Sequence, residues 1–333
     1  MLLDMKRKLV VILTICLISL AGILYFVFSK NEKTTEVIDK VSVRMKWFYA
    51  GTMTGWFAGL EKGFYKEENI DLQITPGGPD NNAVKLVASG TDAFGVAGAD
   101  EVLMAREKGI PIIAIGVLFK DSPLGFISKR EKNITSPAMW SGKTVEVSYG
   151  SNAEIQYLAL KKKYNVSNIK EVPYTFNLVP FIDGSVDVSV AYLMDQVITL
   201  ESKGIILNIQ SSKEYGINPY GDVIITSEKM LKNHPETVNR FIRATIKSMK
   251  WAIENKEKAV TYLLKNAAEL NYDNELKVWD ATIPFIISNG GTERICIMEP
   301  ERWNETKDIL VEFNVVKTDC DEKKAYINLS MSK

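Results

Sequence analysis

The chain has 333 residues, 46% hydrophobic and 25% charged. This is ordinary globular composition, and the length suits two lobes better than one small core. Lys plus Arg and Asp plus Glu each number 41, for a formal net charge of zero, which excludes the basic surplus of a nucleic-acid binder and the acidic surplus of a disordered tail.

At the N-terminus, Lys6, Arg7 and Lys8 precede an apolar run from Leu9 to Phe28. A run of that length forms a helix able to cross a bilayer, and its basic flank predicts a cytoplasmic start and an exported body. The flank Tyr25-Phe26-Val27-Phe28 lacks the small residues of a cleavage site, and Cys16 follows Ile15 in mid-span. A retained anchor over 1–28 is therefore expected rather than a cleaved signal peptide or a lipid-modified cysteine. Residues 29–40, "SKNEKTTEVIDK", read as a tether reaching about 20 Å as a flexible coil.

Strands and helices then alternate. "VSVRMKWFY" reads as a strand, "GWFAGLEKGFYKEE" as a helix and "IDLQITPGG" as a strand ending in a turn. "NNAVKLVASG" is a helix stopped by Gly90, "DAFGVAG" a strand, "ADEVLMAREKG" a helix and "IPIIAIGVL" a strand. The pattern restarts with "KTVEVSYG" and "SNAEIQYLALKKKY", and runs through "IKEVPYTF", "VDVSVAY" and "LMDQVITLESKG" to "IILNIQ". Apolar strands between amphipathic helices predict parallel sheets covered on both faces. Beyond residue 235 the chain reads as helical, with Val238, Phe241, Ile242, Thr245 and Met249 at helical spacing.

In such sheets ligands bind beyond the carboxyl ends of the strands, where helix N-termini offer free N–H groups. The strand-to-helix corners fall at Trp47–Trp56, at Gly98-Ala99-Asp100-Glu101, at Ser148–Glu154 and at Ala191–Gln196. They carry Trp47, Tyr49, Trp56, Tyr149, Tyr174, Phe176 and Tyr192 as flat apolar surfaces, and Asp100, Glu101, Glu154 and Asp195 as acceptors. Strand alternation predicts Trp47 and Tyr49 facing the cleft, with Phe48 in the core and Lys46 turned away. With no other Lys or Arg at the corners, a planar, neutral or weakly cationic ring is expected rather than an anion. Any single aromatic could instead be core, and Asp100 and Glu101 could be simple helix caps.

His234, the only histidine, stands before Pro235 at a helix start, so no histidine-centred triad, metal site or cofactor is expected. Cys296 and Cys320 fit neither a redox pair nor a zinc site. They are either free thiols or a disulfide, the latter stabilising by about 3 kcal/mol.

With these residues in view, the chain from about Val41 to Val315 resembles the solute-binding proteins of ABC importers. The branch is that of the thiamine-pyrimidine-precursor, riboflavin and alkanesulfonate or nitrate binders. "LVASGTDAFGVAGADEVLMAREKGIPIIAIG" carries the resemblance most specifically, and one block before it and two after it keep the family's order. The resemblance implies a type 2 periplasmic-binding fold, two α/β lobes joined by two hinge crossovers. One lobe would comprise 41–126 and 219–333, the other 127–218, with crossovers near "GFISKR" and "YGINPYGD". It further implies that Trp47 stacks on the ligand and that Tyr149, Gly150, Ser151 and Asn152 form the second-lobe loop. Tyr192 matches the tyrosine of a Tyr-Trp-Asn-Asn-Glu stretch that here reads "YLMDQ", so Gln196 replaces the glutamate and Asp195 could act one position earlier. A related enzyme that makes the thiamine pyrimidine uses a cysteine cluster and a histidine; this chain lacks the cluster, and the synthase reading fails on the sequence.

The expectation is therefore a tethered or exported extracytoplasmic monomer, not an enzyme, that passes a small aminopyrimidine-type ligand to an ABC permease. Riboflavin and alkanesulfonate or nitrate are the rival ligands. The expected ligand residues are Trp47, Tyr49, Trp56, Gly98, Glu101, Tyr149, Ser151, Asn152, Glu154, Tyr174, Tyr192 and Asp195.

Overall fold

The computed structural model describes residues 38–329 apart from 79, 176 and 289. The expected span at 9–28, most of the tether and Phe176 lie outside the described residues. Among the described residues, no helix is long and apolar enough to cross a membrane.

Four strands come first: β1 (Asp39–Arg44), β2 (Ile70–Thr75), β3 (Phe94–Gly98) and β4 (Ile112–Val117). The chain then crosses over to β5 (Leu124–Lys129), β6 (Thr144–Val147), β7 (Lys170–Pro173), β8 (Ser189–Tyr192) and β9 (Leu207–Ser211). It returns in β10 (Asp222–Ser227). The first sheet has the order β2-β1-β3-β10-β4, with β1 parallel to β2 and β3, and β10 antiparallel to β3 and β4. In the second region β5 lies antiparallel between β8 and β9, while β6 pairs with β7 in parallel. A bridge at Val145 and Val188, with the Glu146 N–H on the Val188 carbonyl at 2.9 Å, joins the two groups. The second region thus repeats the first plan as β7-β6-β8-β5-β9.

Both sheets are mixed rather than parallel. A strand that has just crossed from the other region enters from the opposite end and so runs antiparallel to its new neighbours. "GFISKR" is largely β5 itself; the chain crosses just before it, at 118–123.

Each face of the first sheet is buried. On one side Phe57, Phe94, Phe241 and Trp279 pack together, and the rings of Phe94 and Phe241 stack at 3.8 Å. Burying each such side chain contributes about 1.5–3 kcal/mol. The helix Pro235–Glu254 lays Val238, Phe241, Ile242, Thr245 and Met249 on this core, the stripe its sequence spacing predicts. Proline stands at its first turn, where a missing N–H costs nothing. The other face packs Val102, Leu103, Tyr220 and Trp303. In the second region Phe126, Trp140 and Tyr157 form one core and Ile127, Phe181 and Leu200 another.

The crossovers at 118–123 and 212–221 pass directly against each other. A Cβ on Gly221 would lie 2.4 Å from the Phe119 carbonyl oxygen and 2.5 Å from that of Asp121, so only glycine fits there. The Asp222 carbonyl accepts from the N–H groups of Leu118 and Phe119 at 2.8 and 3.0 Å. Beside this contact, the Asp121 carboxylate accepts from Lys213 Nζ at 2.8 Å and Asn218 Nδ2 at 2.9 Å. Burial pushes the Asp121 carboxyl up, but those two donors, with the nearby charge of Arg302, outweigh it and hold it below its ordinary value.

His234 is exposed just before Pro235. Cys296 is buried, Cys320 is half-buried, and both are free thiols.

Candidate functional site

A cavity of about 380 Å³ lies where the strand ends of both sheets converge, a size suited to a small organic ligand. Trp47, Trp56, Glu101, Tyr149, Ser151, Asn152, Tyr174 and Tyr192, all singled out above, line it. Trp56 does so from within the core, 2% exposed and stacked on Phe241 at 6.0 Å. Trp47 is half-buried at the end of the first strand, its ring edge-on to Phe48 at 5.4 Å.

Four expected residues stand elsewhere. The Tyr49 hydroxyl donates to the Ile74 carbonyl at 2.9 Å and its ring packs edge-on against Phe57, which removes it from the cavity wall. Gly98 contributes backbone only, its N–H donating to Glu101 Oε2 at 2.6 Å. Glu154 accepts from the Gly150 N–H at 2.6 Å. Asp195 accepts from Gln196 Nε2 at 2.8 Å, and Gln196 lines the cavity in its place. Burial, with a smaller push from Glu275, raises the Asp195 carboxyl to about 6.

The largest departure from the sequence reading is Lys46, which lines the cavity together with Trp47. Strand alternation would set the two on opposite sides, but β1 ends at Arg44 and residues 46–49 are bent. The chain there is drawn against the turn after β2, with the Gly77 N–H on the Trp47 carbonyl at 2.9 Å. The same bend leaves Phe48 54% exposed instead of in the core.

Lys46 is not a free cation. Its Nζ lies 2.8 Å from Asp222 Oδ1, 3.6 Å from Glu101 Oε2 and 5.6 Å from the centre of the Tyr192 ring. Burial alone would push this ammonium down, but Asp222, Tyr192, Glu101 and Asp100 together hold it well above its ordinary value. The Tyr192 hydroxyl donates to Asp222 Oδ1 at 3.4 Å, so β8 of the second sheet meets β10 of the first at this pair. Asp222 also lines the cavity, and the sequence reading missed it; an acid directly after the crossover "NPYG" is the one signal it leaves.

Neighbouring Asp100 is 2% exposed and accepts from the Glu101 N–H at 2.8 Å. Burial, then the like charge of Glu101, raises its carboxyl to about 7. The cluster therefore sets one ammonium among three carboxyl groups. Glu101 Oε1 and Asp222 Oδ2 receive no hydrogen bond from the described residues. Flat aromatic walls and open acceptor oxygens suit a planar ring that carries N–H donors. Among the described residues, no His or Cys lines the cavity and no cluster could hold a metal ion.

A family model described as NMT1/THI5 like matches residues 51–259. The chain is 25% identical over 266 residues to the formylaminopyrimidine-binding protein of Halalkalibacterium halodurans, covering 77% of this chain and 80% of that one. It is 24% identical over 296 residues to the 4-amino-5-hydroxymethyl-2-methylpyrimidine phosphate synthase of Legionella pneumophila, covering 87% and 92%. Among solved structures it resembles the periplasmic aliphatic sulphonate binding protein SsuA of Escherichia coli. That likeness has a TM-score of 0.69 at 12% identity and covers 88% of this chain and 94% of the other. The shared architecture is an α/β periplasmic-binding-protein-like fold.

Proposed function

This chain belongs to the NMT1/THI5-like family, and from that membership we propose that it is an extracytoplasmic substrate-binding protein of an ABC importer. Its ligand is a planar nitrogen heterocycle of the thiamine-pyrimidine type, trapped as the two sheet regions close on each other about the crossovers. Trp47 and Tyr149 supply stacking faces, Glu101 and Asp222 accept N–H groups of the ring, and Ser151 and Asn152 orient it. A permease in the membrane receives the ligand.

The observation that carries this reading is the neutralised Lys46. A sulfonate or phosphate site needs a cation or free N–H groups aimed at the ligand. Here the ammonium is already held by Asp222 and Glu101. The formylaminopyrimidine-binding relative agrees in ligand class.

A thermal-shift series separates the candidates, because a ligand that binds only the folded state raises its stability. Formylaminopyrimidine and 4-amino-5-hydroxymethyl-2-methylpyrimidine should raise the melting point, with taurine inert and riboflavin weak. A shift with taurine and none with either pyrimidine would sink the proposal. The synthase-named relative supplies the competing reading. Purified protein that carries pyridoxal phosphate absorbance and forms the pyrimidine phosphate would decide for it.

A further inference from the structure

A cleft built at helix N-termini is ordinarily an anion site, because the first N–H groups of each helix lack partners and carry partial positive charge. Here two of those corners are partly occupied from within the chain, each by a carboxylate of its own helix. At the helix Ala99–Glu107, the Gly98 N–H donates to Glu101 Oε2 at 2.6 Å, and the Glu101 N–H to Asp100 Oδ1 at 2.8 Å. Ahead of the helix Asn152–Lys163, the Gly150 N–H donates to Glu154 Oε2 at 2.6 Å. In the first turn of that helix the Ala153 N–H donates to Ser151 Oγ at 3.2 Å. Both carboxylates reach back from the first turn to an N–H just ahead of their helix, which sets a negative charge beside the helix start. The lysine of the cavity wall is held in the same way by Asp222 and Glu101.

We propose that Glu101 is a specificity-determining residue that bars anions from the cleft, and that Glu154, which lies off the cavity wall, assists by occupying the N–H of Gly150 on that wall. The cleft then takes its ring as the free alcohol or amine and refuses the phosphate ester of the same ring. The inference rests on the cleft being the ligand site, and it goes further by stating which charge form enters. An incoming phosphate would have to displace a carboxylate that is already hydrogen-bonded. It would also sit beside Asp222 and Glu101 with no cation left to meet it.

Calorimetric titration tests this with three probes: 4-amino-5-hydroxymethyl-2-methylpyrimidine, its phosphate ester and inorganic phosphate. The wild type should prefer the alcohol by at least about 100-fold, the scale of an unmet like charge, and should bind no inorganic phosphate. Glu101→Gln keeps an acceptor for the Gly98 N–H but drops the charge, and should narrow that preference by about tenfold. The double variant Glu101→Ala with Glu154→Ala should acquire inorganic phosphate binding. Equal wild-type affinity for alcohol and ester would overturn the proposal, as would a folded Glu101→Gln with an unchanged ratio. If neither pyrimidine binds the wild type, the ligand assignment fails, but the inorganic phosphate arm still decides. Wild-type binding, or no gain in a folded double variant, counts against the carboxylates as anion bars. Should the double variant not fold, Glu101→Gln alone should gain weak inorganic phosphate binding, and no gain would overturn the proposal.

Discussion

Lys46 and Asp222 are 176 residues apart in sequence, yet the ammonium of one lies 2.8 Å from the carboxylate of the other. The pair sits on the cleft wall with side-chain exposures of 18% and 7%. It links the end of the first strand to the strand that returns from the second crossover.

Removing one partner of so buried a pair leaves the other charge uncompensated, at a cost of about 3 kcal/mol or more. Lys46→Met should therefore lower stability by that order in urea unfolding, and Asp222→Asn by less, because Glu101 still lies 3.6 Å from the ammonium. The double variant Lys46→Met with Asp222→Leu should recover most of the loss. Additive losses in the double variant would mean the pair is not coupled.

Trp47→Ala should abolish the pyrimidine-induced thermal shift while moving the ligand-free melting point only slightly, since this indole is half-buried. Trp279→Ala is the contrasting control. Its ring is fully buried with Nε1 on the Ala252 carbonyl, and its loss should cost about 3–5 kcal/mol. An unchanged ligand shift in the Trp47 variant would remove this residue from the binding face.

Gly221→Ala would place a methyl group 2.4 Å from the Phe119 carbonyl oxygen. The crossovers would have to separate, breaking the bonds of Leu118 and Phe119 to Asp222. Lower stability is expected, on the order of 1–3 kcal/mol for such overpacking, together with weaker ligand binding. Small-angle scattering should show less compaction when ligand is added. Wild-type compaction in this variant would contradict the assignment of the hinge.

Asp100 links stability to pH. Burial first, then Glu101, raises its carboxyl from 3.8 to about 7. Between those values the folded protein keeps a proton that the unfolded chain has lost, so this group makes stability fall as pH rises, with no further change above about 7. Asp100→Asn should consequently gain on the wild type as pH rises, by a few kcal/mol at most near about pH 8. Equal pH profiles for the two proteins would show that the carboxyl titrates normally.

Much of the fold was legible because burial imposes periodicity. The stripe on the helix Pro235–Glu254 and the stop at Gly90, which takes the left-handed conformation, follow from residue spacing and backbone sterics alone. Strand direction was not legible, since an apolar strand buried on both faces reads the same in either orientation. The antiparallel settings of β5 and β10 come from the crossovers, which are long-range.

At the site, the aromatic corners could be read because each follows a strand end. Lys46 could not, because alternation holds only while the strand lasts, and β1 stops two residues earlier. Tyr49 was misplaced by the same extrapolation. Glu154 and Asp195 stand at helix starts, where a carboxylate serves a backbone or neighbouring donor as readily as a ligand; here they accept from Gly150 and Gln196. Asp222 depends on a meeting of two crossovers that no local pattern announces.

The position of β10 between β3 and β4 sets an order of assembly. During synthesis, the first four strands emerge with a gap in their sheet that only residues 222–227 can fill. The second region, one uninterrupted stretch, has every strand in hand before that plug arrives. The inserted half can therefore mature first, while the flanking half waits with two unpaired edges on offer, and a chain cut short before residue 222 should be the form most prone to aggregate.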